Sequence, residues 1–370
     1  MIKNLIKLEL DKYKNNSYLT HNFHPYPAKY IPQIPAEIIK GLSKEGDWIL
    51  DPFCGSGTTL VECKLLGRNS VGIDINPLAC LISEVKTIEL SNTETSIIND
   101  FLSTISSEIK DKKIYPKPIH TNLNLWFESF IQDELAVVTA NINKIKCDKV
   151  RKFLKVALSS IIVKVSNQDS DTRYKAVKKD LKVGDVIKHL ATKIDDMLKR
   201  LHQFNCLSKN VSTQVVNSDS TNFKWNGSLF NLAITSPPYL NSYDYYLYHK
   251  HRMAWLDLDF KTTQEKEFGS RNKHNDRGFG LEDYNNSIKN NALIIKGLLK
   301  KDGYYCIIVG DGILRGDLIK MNENFDDIFQ LIGYKKVYEF TFDQRKYTRT
   351  FTPNLRTVSK ESYLLIYQNI

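Results

Sequence analysis

No run in the chain approaches about twenty consecutive apolar residues, so a membrane-spanning helix is not expected. The opening stretch, MIKNLIKLELDKYKNN, is broken by Lys3, Lys7, Glu9, Asp11 and Lys12. It therefore lacks the uninterrupted apolar segment of a secretory leader, and the expectation is a soluble, cytoplasmic protein. Cysteine is sparse and scattered, at positions 54, 63, 80, 147, 206 and 306, and no two form a CxxC pair. That spacing offers neither a zinc site nor a disulfide framework, and no metal is expected. Buried free thiols are the simpler reading. Internal repeats and low-complexity tracts are also missing. Acidic residues are outnumbered: 52 Lys and Arg stand against 42 Asp and Glu, a formal net charge of +10. A basic balance suits a polyanionic partner, although a charge excess alone is often only a solvated surface.

What is present is enough to build a large core: 42% of the 370 residues are hydrophobic, which suits one big domain or two. Residues 47–90 alternate short apolar strands with helical segments. DWILD ends on Asp51, the turn PFCGSGTTL follows, then a helix, then SVGID ending on Asp74, then the helix PLACLISEVKTIEL. Such alternation predicts a parallel α/β sheet. Residues 91–210 change to helical periodicity, and residues 101–210 hold about 21 Lys and Arg against about 12 Asp and Glu. This stretch reads as a helical insertion. The α/β rhythm resumes with TQVVNSD, NLAIT and GYYCIIVGD, and KKVYEFTF with ESYLLIYQ predicts a closing antiparallel pair. QEKEFGSRNKHNDRGFG, near 264–280, is polar, charged and glycine-rich, and predicts a mobile loop.

The turn DPFCGSGTT places Gly55 and Gly57 between a strand and a helix, where ligands bind in open α/β sheets. A phosphate-binding P-loop requires a lysine after its second glycine, and none follows Gly57. A dinucleotide fingerprint requires a third glycine where Leu60 stands. S-adenosylmethionine remains, since it has no phosphate to cradle. Asp74, at the end of the second strand, would accept both ribose hydroxyls, and Ile75 would pack on the adenine; the alternative is that Asp74 only caps the next helix.

DPFCGSGTTL, GIDINPLA and TSPPY together resemble the DNA amino-methyltransferases, the S-adenosylmethionine enzymes that methylate cytosine N4 or adenine N6. The resemblance covers about 47–80 and 215–245, and the upstream HPYPAKYIPQIP is similar to the family's third cofactor element. It implies a Rossmann-like class I methyltransferase sheet with an antiparallel C-terminal hairpin and a helical insertion. The implied divisions are 1–90 (cofactor elements), 91–210 (target recognition) and 211–370 (catalytic element and closing strands). The implied cofactor residues are His24, Pro25, Tyr26, Asp51, Phe53, Cys54, Gly55, Ser56, Gly57, Thr58, Asp74, Ile75 and Asp219. The implied catalytic residues are Ser236, Pro237, Pro238 and Tyr239.

The residue types in TSPPY suit an exocyclic amine, whose lone pair is delocalised into the base. Hydrogen bonds accepted from its N–H groups favour a pyramidal, more nucleophilic nitrogen. Proline has no N–H and a fixed φ, so Ser-Pro-Pro offers rigid acceptors: the Ser236 hydroxyl and the Ser236 and Pro237 carbonyls. Tyr239 would stack on a base flipped from the duplex. In the family, serine before Pro-Pro-Tyr is commoner among cytosine-N4 enzymes, so the resemblance favours cytosine N4 over adenine N6. Methylation of an RNA base is a further alternative, as is a DNA-binding module without catalysis. Chemistry at cytosine C5 would need a Pro-Cys thiol, which the chain lacks.

The expected partner is double-stranded DNA, with a separate cognate restriction endonuclease. Ser166–Lys179 breaks the helical period and clusters Asn167, Gln168, Asp169, Asp171, Arg173 and Tyr174, the first, second and fifth of which are base-reading types. Asn167, Asp171, Arg173, Tyr174, Tyr243 and Asp244 are the expected DNA- or base-contacting residues. Lys175, Lys178, Lys179 and Lys182, His249–Arg252 and the loop 343–357 are further candidates for phosphate contact or plain solvation.

Overall fold

The computed structural model describes residues 5–6, 8–13, 16–119, 122–241, 243–276, 278–343 and 361–370. Its strands are β1 (Trp48–Asp51), β2 (Asn69–Asp74), β3 (Gln168–Ser170), β4 (Arg173–Ala176), β5 (Thr213–Asn217), β6 (Phe230–Thr235), β7 (Leu299–Gly310), β8 (Gly312–Leu314), β9 (Asp317–Ile319), β10 (Tyr334–Phe342) and β11 (Ser362–Asn369). Seven of them form one sheet in the order β10-β11-β7-β6-β1-β2-β5. Neighbours from β5 across to β7 run parallel, while β11 lies antiparallel between β7 and β10. This is a Rossmann-like α/β sheet with the expected antiparallel hairpin at its C-terminal end.

Alternation along each strand sorts side chains to two faces. Ile49, Leu232, Ile234, Cys306, Ile308, Leu364 and Ile366 pack on one face, together with Ile34, Ile38 and Ile39 of the helix Gln33–Leu42. Leu50, Val71, Ala233, Ile307, Val309 and Leu365 pack on the other, beneath the helices Leu281–Leu298 and Met321–Ile332. Both faces are therefore dry, and the strands read as continuous apolar runs.

The crossover from β2 to β5 carries the helices Pro77–Val85, Asn92–Lys110, Ser129–Lys144, Asp148–Ile161 and Asp185–Leu207. Their buried faces make a third core, in which Phe153, Leu154, Leu190 and Met197 join Leu78, Ile82 and Val61. That core also takes in Met253, Trp255 and Leu256, from beyond the β6 turn. Two sequence expectations change here. The break at 166–179 is the antiparallel hairpin β3–β4 rather than a loop. The expected mobile loop at 264–280 contains the helices Phe260–Lys266 and Arg271–Asp276.

Candidate active site

The β1 turn is tied down from three sides. Gly55 and Gly57 take φ of +50° and +77°. A Cβ on Gly57 would stand 2.8 Å from Ser83 Oγ, so only glycine lets the turn rest on the helix Pro77–Val85. Ser83 Oγ donates to the Gly55 carbonyl at 2.7 Å, and the fully buried Lys86 donates to the Ser56 carbonyl at 2.6 Å. Asp51 lies under the turn: its carboxylate accepts from Thr59 Oγ1, from Thr235 Oγ1 at 2.7 Å and from Phe53 N at 3.2 Å. Burial nevertheless pushes Asp51 up to about 6.

Asp74 joins the turn to β2. Its two carboxylate oxygens accept from Gly55 N and from Asn76 N, each at 2.8 Å. Burial pushes it up to about 6 against the pull of those bonds. The helix that follows is capped by Asn76, whose Oδ1 accepts from Leu78 N at 2.9 Å. Asp74 is thus free of that capping role.

Beyond these strand ends lies a cleft enclosing about 870 Å³, part of it open to solvent. Tyr26, Phe53, Cys54, Gly55, Ser56 and Thr58 line it, with Asp74, Ile75 and Asp219 at one end and Ser236 and Pro238 at another. Two buried polar atoms of lining residues, Ser56 Oγ and Asn76 Nδ2, have no partner among the described residues. Buried polar groups are normally satisfied, so this pair fits a polar ligand in the cleft. Asp219 Oδ1 accepts from Thr221 N and Thr221 Oγ1 at 2.9 and 2.7 Å, which leaves its other oxygen available.

Sequence reasoning missed the wall opposite the turn. Tyr245, Thr263, Lys266, Glu267 and Phe268 line the cleft, as does Lys29. Tyr26 stacks on Tyr245 and on His249, with ring centroids 5.8 and 4.9 Å apart. Phe268 packs edge-on against Phe53. Lys29 donates to the carbonyls of His21 and His24, and its burial lowers it to about 8. The crowd of tyrosines after SPPY was the available signal for Tyr245. No local pattern announced Glu267.

At the β6 end, Ser236 and Pro238 reach the cleft. Ser236 Oγ donates to Tyr239 Oη at 3.4 Å, and the Pro238 carbonyl accepts from Tyr284 Oη at 2.9 Å. The Tyr239 ring packs where a Cβ on Gly310 would stand 3.2 Å from it, and Tyr239 does not line the cleft.

Several expected residues lie elsewhere. His24, Pro25, Asp51, Gly57 and Pro237 do not line the cleft. His24 is buried and bonds Ser159 Oγ at 2.9 Å. Asn167 is buried as well, its amide given to Leu125 O and Glu128 and its oxygen accepting from Lys179 N, so it presents no base-reading edge. Tyr174 stacks on His251 at 5.2 Å, and Asp171 is the counter-ion of the buried Arg252. Only Arg173 of that group is open, its side chain 65% exposed. Asp244 is buried, and its Oδ1 accepts from Asn272 N at 2.9 Å. Tyr243 packs on Tyr245 and Tyr248. His249, His251 and Arg252 are buried and cannot meet phosphate. Apart from Asp343, the loop 343–357 lies outside the described residues.

Residues 6–85 match the sequence profile of the N6/N4 DNA methylase family, described as DNA methylase. The Type II methyltransferase M.MjaII of Methanocaldococcus jannaschii is 24% identical over 88% of this chain and 77% of its own length. M.MvaI of Kocuria varians is 27% identical over 66% of this chain, and M.BsoBI of Geobacillus stearothermophilus 28% over 68%. Over residues 6–85 the chain is therefore similar to the DNA amino-methyltransferases. It spans 59% and 55% of the latter two relatives. The cleft fits S-adenosylmethionine, the cofactor the resemblance implied: a carboxylate at the end of β2, a glycine turn, two orphaned polar atoms and apolar walls. Among the described residues no helix is long and apolar enough to cross a membrane, and no group of three or more His, Cys, Asp or Glu could hold a metal ion.

Proposed function

We propose that this methyltransferase acts on double-stranded DNA and methylates the N4 amino group of cytosine flipped from the helix. The observation that carries the reading is the acceptor-only edge at the end of β6, where Ser236 and Pro238 reach the cofactor cleft. S-adenosylmethionine, when bound, supplies an electrophilic methyl on a cationic sulfur. Asp74 accepts from the ribose hydroxyls, Ile75 packs on the adenine, and Asp219 accepts from its amino group. Gly55, Ser56 and Thr58 face the rest of the cofactor, and Tyr26 closes the cleft. The Ser236 hydroxyl and carbonyl accept N–H bonds from the target amine and hold its nitrogen in line. Because Ser236 donates to Tyr239, its oxygen lone pairs remain free to accept. Tyr245 replaces Tyr239 as the aromatic wall of the cleft. Such an activity pairs naturally with a separate restriction endonuclease.

The test is a product assay. The protein is incubated with S-adenosylmethionine and unmethylated DNA, the DNA is digested, and the modified nucleoside is identified by mass. N4-methylcytosine is expected. N6-methyladenine would keep the mechanism and overturn the base assignment, and methylation of RNA alone would overturn the partner.

A further inference from the structure

Glu267 is a buried carboxylate in the wall of the cofactor cleft. It stands between two short helices, Phe260–Lys266 and Arg271–Asp276, in the segment that covers the β6 turn. A Cβ on nearby Gly269 would come within 3.0 Å of the Tyr239 carbonyl and 3.3 Å of Pro238, which fixes this segment on the acceptor edge. Both oxygens of Glu267 are positioned by backbone donors, Tyr245 N at 3.0 Å and Tyr246 N at 3.2 Å. The carboxylate thus sets the place of Tyr245, which stacks on Tyr26.

Its electrostatic surroundings are unusual for a fixed acid. The charged groups acting on it most are acidic, Asp244 and Asp74. The phenols of Tyr26, Tyr245 and Tyr246 face it from the other elements and are uncharged near neutral pH. Lys266 and Lys29 line the same cleft, but neither pairs with it among the described residues. Burial, with those two acids, pushes Glu267 up to about 8. A buried acid without a cation partner favours its neutral form, and a cation brought into the cleft reverses that preference. The two ligands of this cleft differ in that respect. S-adenosylmethionine carries a sulfonium charge, whereas the demethylated product has a neutral thioether.

We propose that Glu267 distinguishes the cationic cofactor from its neutral product, its carboxylate ionised beside the former and protonated beside the latter. This rests on the cofactor reading above and adds a device for product release. The protons balance. The target amine loses one proton to solvent as its nitrogen–methyl bond forms and the sulfur–methyl bond breaks, and the carboxylate takes one from solvent as the sulfonium charge disappears. The site then no longer holds a charge matched to the spent ligand.

Titration calorimetry of the full chain at pH 7, in two buffers of different ionisation heat, counts the protons released with each ligand. S-adenosylmethionine should release more than S-adenosylhomocysteine. Glu267→Gln should abolish that excess and reduce the preference for S-adenosylmethionine roughly tenfold, the equivalent of one pKa unit of linkage. The wild type supplies a second readout: its preference should rise with pH and level off above about 8. Equal proton counts for the two ligands in the wild type, or an unchanged preference and count in Glu267→Gln, would overturn the proposal alone. Failure of both ligands to bind the wild type would overturn the cofactor reading with it.

Discussion

Asp51 and Asp74 end adjacent parallel strands, and both are pushed up to about 6 by burial, yet they face different ways. Asp74 reaches the cleft. Asp51 turns inward, accepts from Thr59, Thr235 and Phe53, and so holds β1, its turn and β6 together. Its ionisation is tied to folding. A carboxyl raised from 3.8 to about 6 contributes stability below the lower value and loses it as pH rises through the upper. Relative to Asp51→Asn, the wild type should therefore lose about 2 kcal/mol between pH 4 and pH 6, measured by denaturant unfolding at each pH. Sequence reasoning placed the aspartates in two neighbouring motifs, DPFCGSGTTL and GIDINPLA, and gave both to the cofactor. The motifs were legible because turn chemistry is local. Which side of the turn a carboxylate occupies was not, since Thr235 lies far along the chain from Asp51.

Among the elements, the hairpin β3–β4 shows how a polar segment can be structural. Its Asn167 ties the chain to Leu125 and Glu128, Tyr174 packs on Trp126 and His251, and Asp171 meets Arg252. Arg252 is fully buried and also donates to Ser159 O at 3.0 Å and Tyr248 O at 3.3 Å. Asp171→Ala should cost about 3 kcal/mol or more, because it leaves that guanidinium without a counter-ion in the core. A fall in melting temperature, with non-additivity against Arg252→Met in a double-mutant cycle, would show it. Stability unchanged in Asp171→Ala would mean that the pair is idle. Asparagine and tyrosine look alike in a sequence whether they read bases or brace helices, so the residue types at 166–179 pointed outward and the packing turned most of them in. The segment near 264–280 misled for a related reason. Its composition resembles a loop, while its short helices are held by distant partners such as Phe53 and Tyr284, which touch Phe268.

At the level of the whole molecule, the parallel α/β sheet and its closing antiparallel pair were legible, because alternating strands and helices admit few topologies. The union of the helical region with the sheet's own helices in one core was not, since periodicity shows that a face is apolar but not what covers it. The positive excess of residues 101–210 remains at the surface in Lys175, Lys178, Lys182 and Arg173. Arg173→Ala should weaken DNA binding without lowering the melting temperature. It should also make the salt dependence of the binding constant shallower by about 0.9 if the lost contact is to phosphate. Affinity and site preference both unchanged would remove the hairpin from the interface.

The position of β11 bears on how the molecule comes into being. It is the last strand of the sheet in chain order, yet it lies inside, hydrogen-bonded to β7 on one side and β10 on the other. As the chain leaves the ribosome, the cofactor turn and the acceptor edge are made long before the sheet can close. Until residues 362–369 emerge, β7 and β10 each present an open edge with no strand between them. The nascent chain therefore carries a nearly complete sheet with an unfilled slot, and residues 362–369 fill it by pairing with β7 and β10 in a late step.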